Sequence, residues 1–163
     1  MNKRLLSLSL IFCLALSCHS QDVKGEDACA QYIARLIRSA KSYIGCPYEW
    51  AATGPDRFDC SGFVYYIFSH AGVHLPRNSR QLSRSGKRVT LRNIRRGDLV
   101  FFLSGEPPHR DISHVGIVIT DYKDGDFQFI HANLGQGCVS INHFRETRFQ
   151  RTYGGARRVI DCR

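Results

Sequence analysis

The sequence predicts an α+β domain in which N-terminal helices pack on a mainly antiparallel sheet of about five to six strands. Three observations support this fold class. Helical periodicity dominates the first half of the chain, apolar strand-like runs dominate the second half, and short turn signals separate those runs. The 163 residues are enough for one domain with a substantial core, which we place at residues 27–163.

The residues before this domain have the composition of an export segment. Lys3 and Arg4 are followed by an apolar run over residues 5–16, which is too short to cross a membrane comfortably. We therefore expect residues 1–17 to form a signal peptide of the lipoprotein type and residues 18–26 to form a polar linker.

The apolar run ends in Leu14-Ala15-Leu16-Ser17-Cys18, which resembles a bacterial lipobox with Cys18 as the lipidated residue. This resemblance implies an exported protein that acyl chains anchor to the cell envelope, at the periplasmic face or the outer membrane. Cleavage and secretion without a lipid is the alternative, because alanine stands where leucine is commoner, three residues before the cysteine.

Helical patterns occupy the first half of the domain. Residues 27–44 carry apolar side chains on one face, which we expect to lie in the core. A second helix should begin after Asp59, whose carboxylate suits an N-cap, and should end at Gly72, which suits the C′ position. A short helix is predicted at residues 79–83. The stripe of the second helix that we expect to be buried comprises Phe63, Tyr66, Ile67 and Ala71.

Strand patterns occupy the second half. The Asp124-Gly125 pair is a hairpin signal, which puts His114 and His131 on neighbouring antiparallel strands. The strands are predicted at residues 88–91, 97–103, 114–120, 127–132, 137–141 and 153–160.

Cys60 stands at the predicted start of the second helix. The partial positive charge and free N–H groups of a helix N-terminus favour a thiolate, so we expect Cys60 to be acidic and nucleophilic. A small buried cysteine without a chemical role is the alternative.

The mature domain has five cysteines, so in an oxidising compartment at least one of them should stay free. With Cys60 free, two disulfides can form among the other four of the mature domain, although the sequence fixes neither their pairing nor their existence. No pair has CxxC spacing, so we expect no structural zinc and no cofactor. The four cysteines are Cys29, Cys46, Cys138 and Cys162.

A cysteine nucleophile requires a base within hydrogen-bond reach and a polar group that orients the base. His114 is the expected base, and His131 is expected to hold its ring in position. His109 is the nearest competitor of His114, but it lies beside two prolines in a loop, which is a poorer platform for fixed geometry. Either histidine alone suits a structural role, whereas the combination with Cys60 favours catalysis.

Six motifs lie in one order between about residue 39 and residue 158. They are Gly45-x-Pro-Tyr48-x-Trp50, Phe58-Asp-Cys60-Ser-Gly-Phe-Val64, Leu75-Pro-Arg77-x-Ser79, Gly97-Asp-Leu-Val-Phe-Phe102, His114-Val-Gly-Ile-Val-Ile119 and Ile130-His131-Ala132. Together they resemble the NlpC-type family of papain-like bacterial cell-wall cysteine peptidases. The resemblance implies a papain-like fold with Cys60 as nucleophile, His114 as base and His131 as third member.

The same resemblance implies a substrate and further site residues. The reaction implied is hydrolysis of an amide in the peptidoglycan stem peptide, typically between γ-D-glutamate and a diamino acid. Ala51-Ala52 stands where a Gly-Gly pair is common, which leaves the subsite preference open. The residues implied on the substrate and oxyanion side are Tyr48, Asp59, Ser61 and Arg77.

The charge of the chain agrees with a carboxylate-rich partner. Loss of Lys3 and Arg4 with the signal peptide lowers the formal net charge from +9 to +7. We expect peptidoglycan or muropeptide fragments as partners, with no nucleic acid, and a monomer. Two other functions stay open on the same fold: a non-catalytic peptidoglycan-binding lipoprotein, and an amidase or acyltransferase.

Overall fold

The computed structural model describes residues 25–105, 108 and 110–161. The expected signal peptide, Cys18, most of the linker, His109 and Cys162 therefore lie outside the described residues. The chain divides into two compact units, residues 35–161 and residues 1–34 with 162–163. In the smaller unit the described residues are helical, and Cys29 is disulfide-bonded.

The helices follow the predicted pattern with one addition. Helix α1, at residues 25–41, ends earlier than expected, so Ile44 lies in the following turn and is 52% exposed. Helix α4 was not predicted, because its six residues are mostly polar and show no apolar periodicity. The other helices are α2 at Cys60–His70 and α3 at Ser79–Leu82. None of the helices in the described ranges has the length and apolar character that a membrane crossing requires.

Six antiparallel strands form one sheet in the order β1-β6-β2-β3-β4-β5, which confirms the predicted α+β class. Helix α2 packs against β3 and β4, and α4, at Thr147–Thr152, packs against β2. A single turn of 3-10 helix follows β1 at Leu91–Asn93. The strands are β1 at Lys87–Val89, β2 at Leu99–Ser104, β3 at Asp111–Val118, β4 at Gln128–Asn133, β5 at Cys138–His143 and β6 at Tyr153–Arg158.

The hairpin between β3 and β4 carries both candidate histidines. Asp124 and Gly125 both have positive φ, 52° and 82°, as a tight two-residue turn requires. The strands pair through Ile117 opposite Ile130 and Val118 opposite Phe129. The predicted hairpin is therefore confirmed, although β3 begins three residues before the predicted start, so that His114 lies inside the strand rather than at its beginning.

Gly116 lets the two strands and their side chains come close. A Cβ atom at this position would lie 2.8 Å from the Phe129 ring and 3.3 Å from the Cβ of His131. The first separation is shorter than packed carbon atoms tolerate. The missing side chain therefore leaves room for the Phe129 ring and for the close approach of β4 at His131.

Two sets of apolar side chains support the sheet near these histidines. On α2, Phe63 and Ile67 are buried as predicted, whereas Tyr66 and Ala71 are only half-buried. An aromatic cluster holds α4 against the sheet, with the Phe149 ring 4.8 Å from that of Phe129 and 5.0 Å from that of Phe102. The same cluster contacts both histidines, since Phe149 lies 5.8 Å from His131 and Phe102 lies 6.0 Å from His114.

Candidate active site

Cys60 is the first residue of α2, and Asp59 is its N-cap, as the sequence predicts. The Asp59 carboxylate accepts a hydrogen bond from the backbone N–H of Gly62 at 2.7 Å. The Cys60 thiol is buried and donates to the carbonyl oxygen of Ser113 at 3.8 Å, while the N–H of Val115 also lies against the sulfur. The sulfur thus lies against the main chain on both sides of His114.

The ionisation state of Cys60 differs from the expectation. Burial and, to a smaller extent, the charge of Asp59 raise the pKa of the Cys60 thiol, although backbone N–H groups of Val115, Ser61 and Cys60 itself act in the opposite direction. Burial and Asp59 outweigh these backbone N–H groups, so the resting thiol is not acidic as the sequence predicted. The sulfur is protonated at neutral pH.

Hydrogen bonds from Arg77 hold the loop that precedes α2. Its guanidinium donates to both carboxylate oxygens of Asp59, at 3.0 and 2.7 Å, and to the Ser61 hydroxyl at 2.8 Å. It also donates to the carbonyl oxygens of Ala51 and Ala52 at 3.0 and 3.1 Å. Five acceptors within the protein therefore engage this side chain, and the substrate-contacting assignment of Asp59, Ser61 and Arg77 stays a prediction.

The Ala51-Ala52 loop lies close against the start of α2. Ala51 has φ of 64°, a left-handed conformation that favours glycine. The carbonyl of Ala52 accepts from the Asp59 N–H at 3.0 Å and would lie 2.1 Å from a Cβ at Gly62, so the loop is pressed against the start of α2. Trp50, immediately before it, is 83% exposed.

The phenol of Tyr48 lies within electrostatic range of the Cys60 thiol. Burial raises the pKa of its phenol most, and the neighbouring Cys60 and Asp59 raise that pKa further. The hydroxyl is therefore protonated at neutral pH and is available as a hydrogen-bond donor.

A chain of hydrogen bonds runs behind His114. The Nε2 atom of His114 lies 2.6 Å from Nδ1 of His131, and Nε2 of His131 lies 2.9 Å from Oδ1 of Asn142. The Nδ2 atom of Asn142 donates to both carboxylate oxygens of Glu146, at 3.0 and 3.2 Å. The structure therefore brings the two predicted histidines together and adds two residues behind them.

Glu146 determines how the protons are arranged along this chain of hydrogen bonds. A carboxylate only accepts hydrogen bonds, so the amide nitrogen of Asn142 faces Glu146 and its oxygen faces His131. His131 must then donate from Nε2 and, being neutral, accept at Nδ1. His114 consequently donates from Nε2, which leaves its Nδ1 unprotonated and able to accept a proton.

Both imidazoles are neutral in the folded protein. Burial, together with smaller electrostatic contributions from His131 and Arg148, lowers the pKa of His114 to about 3. Burial is also the main reason that the pKa of His131 falls to about 4. The charge of Arg148 lowers this pKa further, whereas the hydrogen bond to Asn142 and the charge of Glu146 raise it.

The buried histidines predict a loss of stability in acid. An unfolded histidine has a pKa near ~6.5, so below that pH the unfolded chain binds protons that the folded chain excludes. We expect the free energy of unfolding to fall as the pH falls from about 6.5 toward the folded pKa values. Urea unfolding at about pH 7 and about pH 4.5 measures this slope.

The matched controls use two histidines in different surroundings. His131→Gln should flatten the acid slope, whereas His74→Gln, at an exposed loop position, should leave it unchanged. An equal slope in all three proteins would contradict the assignment.

Asn142 and Glu146 were missed by sequence reasoning. The available signal was the alternation in β5, where Ser140 and Asn142 lie on the face that His131 uses, since His131 pairs with Ser140. Glu146 follows β5 directly and also accepts from the N–H of His143 at 2.9 Å. Its contribution depends on a turn that the sequence pattern does not reveal.

Asn142→Ala should lower kcat about 10-fold or more with little change in KM. The reason is that Asn142 fixes which nitrogen of His131 carries the proton, and His131 in turn orients the base. Ser140→Ala is the matched control on the same strand, since the Ser140 hydroxyl accepts from Asn133 at 3.3 Å and is not part of the hydrogen-bond chain from His114 to Glu146. Steady-state kinetics on a soluble stem peptide separates kcat from KM. Unchanged kcat in Asn142→Ala would contradict the proton arrangement.

Two other cysteines are free, and the described residues include no candidate metal site. Cys46 and Cys138 are free thiols, so the alternative with two disulfides among the four cysteines is wrong. Cys29 is disulfide-bonded. Within the described ranges no group of three His, Cys, Asp or Glu side chains is arranged to hold a metal ion.

Comparisons with known proteins identify the family. Residues 45–158 match the NlpC/P60 family. A γ-D-glutamyl-L-lysine dipeptidyl-peptidase of Bacillus cereus is 34% identical over 125 residues, which cover 77% of this chain and 36% of that protein. The chain spans between 17% and 37% of the length of the curated relatives that it matches.

Solved structures agree with this result. The crystal structure of an NlpC/P60 family protein from Bacillus cereus has a TM-score of 0.70 and 33% identity, with 79% of this chain and 40% of that chain covered. RipD of Mycobacterium tuberculosis, described as a non-catalytic NlpC/p60 domain protein adapted to peptidoglycan binding, has a TM-score of 0.60 and 25% identity, with 79% and 98% covered. The buried cysteine at a helix start, the paired histidines and the matched motifs agree, and the chain belongs to the NlpC/P60 family.

Proposed function

We propose that this protein is a cysteine peptidase that hydrolyses an amide bond in the peptidoglycan stem peptide, between γ-D-glutamate and a diamino acid. One observation carries the proposal. The Cys60 sulfur lies against the main chain on both sides of His114, whose ring is held through His131 with its Nδ1 free to accept a proton. Family membership and the name of the Bacillus cereus relative support the choice of bond.

The proposed reaction begins with a neutral thiol and a neutral imidazole. As Cys60 attacks the scissile carbonyl, its proton passes to Nδ1 of His114, and the imidazolium that forms donates through Nε2 to His131. The backbone N–H of Cys60 and the Tyr48 hydroxyl are the proposed donors to the oxyanion. His114 then returns the proton from Nδ1 to the nitrogen of the leaving amine.

The second half of the reaction releases the acyl group. Departure of the amine leaves a thioester on Cys60, and His114 then removes a proton from a water molecule that attacks the thioester carbonyl. Collapse of this second tetrahedral intermediate releases the carboxylic acid and returns the proton to the sulfur. The predicted residues Asp59, Ser61 and Arg77 hold the start of α2 and the Ala51-Ala52 loop during both steps.

Mass spectrometry of the soluble products from purified muropeptides tests this proposal. We expect fragments that end in γ-D-glutamate together with fragments that begin with the free amine of the diamino acid, from the wild type but not from Cys60→Ser. Products of increased mass would indicate an acyltransferase. Binding to sacculi without any released peptide would indicate a function like that described for RipD.

We also propose that the protein is exported and anchored to the cell envelope through lipidated Cys18, and that it acts there on peptidoglycan as a monomer. The support comes from Lys3, Arg4 and the lipobox-like residues 14–18. Mass spectrometry of the mature N-terminus should find a diacylglycerol on Cys18, and Cys18→Ala should release the protein from membranes. An unlipidated mature N-terminus would favour simple secretion.

A further inference from the structure

Three arginine side chains form an unbalanced group of positive charges at one edge of the sheet. Arg88 of the edge strand β1 lies directly opposite Arg157 of β6, so the two side chains leave the same face of the sheet. Nε of Arg157 donates to the carbonyl oxygen of Ser83 at 2.6 Å, and Arg84 follows Ser83 just after α3. We call Arg84, Arg88 and Arg157 the arginine patch.

No carboxylate pairs with the arginine patch among the residues that the structure describes. The opposite face of the same two strands differs, because Lys87 is ion-paired with Asp161 and Arg158 with Asp98. The patch lies at the protein surface, and only Arg157 is half-buried. Like charges directly opposite each other on a sheet repel, so an anion that lies against the patch stabilises it.

The arginine patch lies near the active site but beyond the reach of a short substrate. His114 pairs with Phe102 of β2, and Arg157 pairs with Leu99, three residues along the same strand and on its other side. With about 4.8 Å between strands and about 3.4 Å per residue, the Cα atoms of His114 and Arg157 are roughly 14 Å apart. An extended tripeptide covers only about 11 Å. A single stem peptide bound at Cys60 therefore does not span this distance, whereas a polymer that carries many stem peptides does.

From this arrangement we infer that the arginine patch is a second binding surface for polymeric peptidoglycan, which binds carboxylates of neighbouring stem peptides while one stem peptide occupies the active site. The inference rests on the proposed function and adds a surface outside the catalytic site. Guanidinium groups bind carboxylates through two parallel hydrogen bonds, and the polymer repeats such carboxylates along its length. The short distance to His114 favours this polymer over an anionic membrane, because one polymer then occupies both surfaces at once.

Cosedimentation with purified sacculi tests the surface without catalysis. In the Cys60→Ser protein, the added substitutions Arg84→Gln and Arg88→Gln should weaken binding to sacculi about 5- to 10-fold, as the loss of two exposed charge pairs allows. This difference should shrink at about 0.5 M NaCl, which screens exposed charges. Urea unfolding should show no loss of stability, because the substitutions remove repulsion rather than an ion pair.

Arg38→Gln with Lys123→Gln is the matched control. It removes two exposed cations that form no ion pair within the described ranges, one from α1 and one from the β3–β4 turn. Binding to sacculi should equal that of the Cys60→Ser parent. Equal weakening by both pairs of substitutions would assign the effect to net charge and overturn the inference. Unchanged binding without Arg84 and Arg88 would also overturn it.

Vesicles that contain phosphatidylglycerol test the membrane as the competing partner. We expect the Cys60→Ser protein, purified without its lipid, to bind these vesicles equally well with and without the substitutions at Arg84 and Arg88. Binding to vesicles that requires these two arginines, together with binding to sacculi that does not, would overturn the inference in favour of a membrane surface.

Activity on two substrates separates the inference from the proposed function. In the otherwise unchanged protein, Arg84→Gln with Arg88→Gln should slow peptide release from sacculi about 5-fold and leave cleavage of a soluble stem peptide at the rate of the wild type. Equal losses on both substrates would overturn the inference and leave the proposed function intact. Binding to sacculi that depends on the patch, with no cleavage by the wild type, would support the surface and refute only the proposed function.

Discussion

Cys60→Ser should reduce kcat on muropeptides by about 10³-fold or more while leaving the fold intact. A serine hydroxyl fits the buried position, and the 3.8 Å contact of the thiol with the Ser113 carbonyl is weak, so the free energy of unfolding should change little. The hydroxyl is a much weaker nucleophile with a neutral imidazole as its base, and the reaction therefore stops at the first step. Chromatography of released peptides and urea unfolding measure the two effects.

Cys46→Ser is the matched control for this experiment. Cys46 is another free thiol, half-buried, which donates to the Asp56 carbonyl at 3.1 Å and lies in the loop before α2. Its substitution should leave peptide release within about 2-fold of the wild type, as expected for a residue outside the reaction. Peptide release by Cys60→Ser at the rate of the wild type would exclude Cys60 as the nucleophile.

His114→Ala should cost nearly as much as the loss of the thiol, about 10³-fold in kcat, because a neutral thiol with a raised pKa needs a base to attack at neutral pH. His131→Ala should cost less, since it removes the partner that orients the base and leaves the base itself. The order of the two losses distinguishes a base from an orienting residue. Single-turnover kinetics measures both on the same peptide.

His74→Ala serves as the control, since His74 is exposed in the loop after α2. Full activity of His114→Ala would reassign the base, with His109 as the first alternative. A larger loss in His131→Ala than in His114→Ala would reverse the two predicted roles.

Local patterns were sufficient to place the main parts of this site. Asp59 followed by a helical stripe predicted where α2 begins, and the cap is found there. The Asp124-Gly125 turn predicted that His114 and His131 lie on neighbouring strands, and their rings are 2.6 Å apart at the nearest nitrogens. Such features depend on residues close in sequence, which is why they can be read from it.

Other features depend on contacts between distant residues. The pKa of Cys60 is raised because folding buries the thiol, and no local pattern reports how much water is excluded. Arg77, which follows Asp59 by 18 residues, donates hydrogen bonds to its carboxylate. Glu146 accepts from Asn142 and lies in a turn without a sequence signature. Helix α4, which carries Phe149, is held by an aromatic cluster rather than by its own periodicity.

Covalent trapping is the most direct measurement of whether Cys60 and His114 act together on a stem peptide. A peptide L-alanyl-γ-D-glutamate with a chloromethyl ketone in place of the scissile amide should add once to the wild type, and mass spectrometry of the digested protein should find the adduct on Cys60. His114→Ala should slow this addition about 100-fold or more, while Cys46 and Cys138 stay unmodified in both proteins. Addition at Cys46 or Cys138, or addition to Cys60 at the same rate without His114, would contradict the proposed reaction.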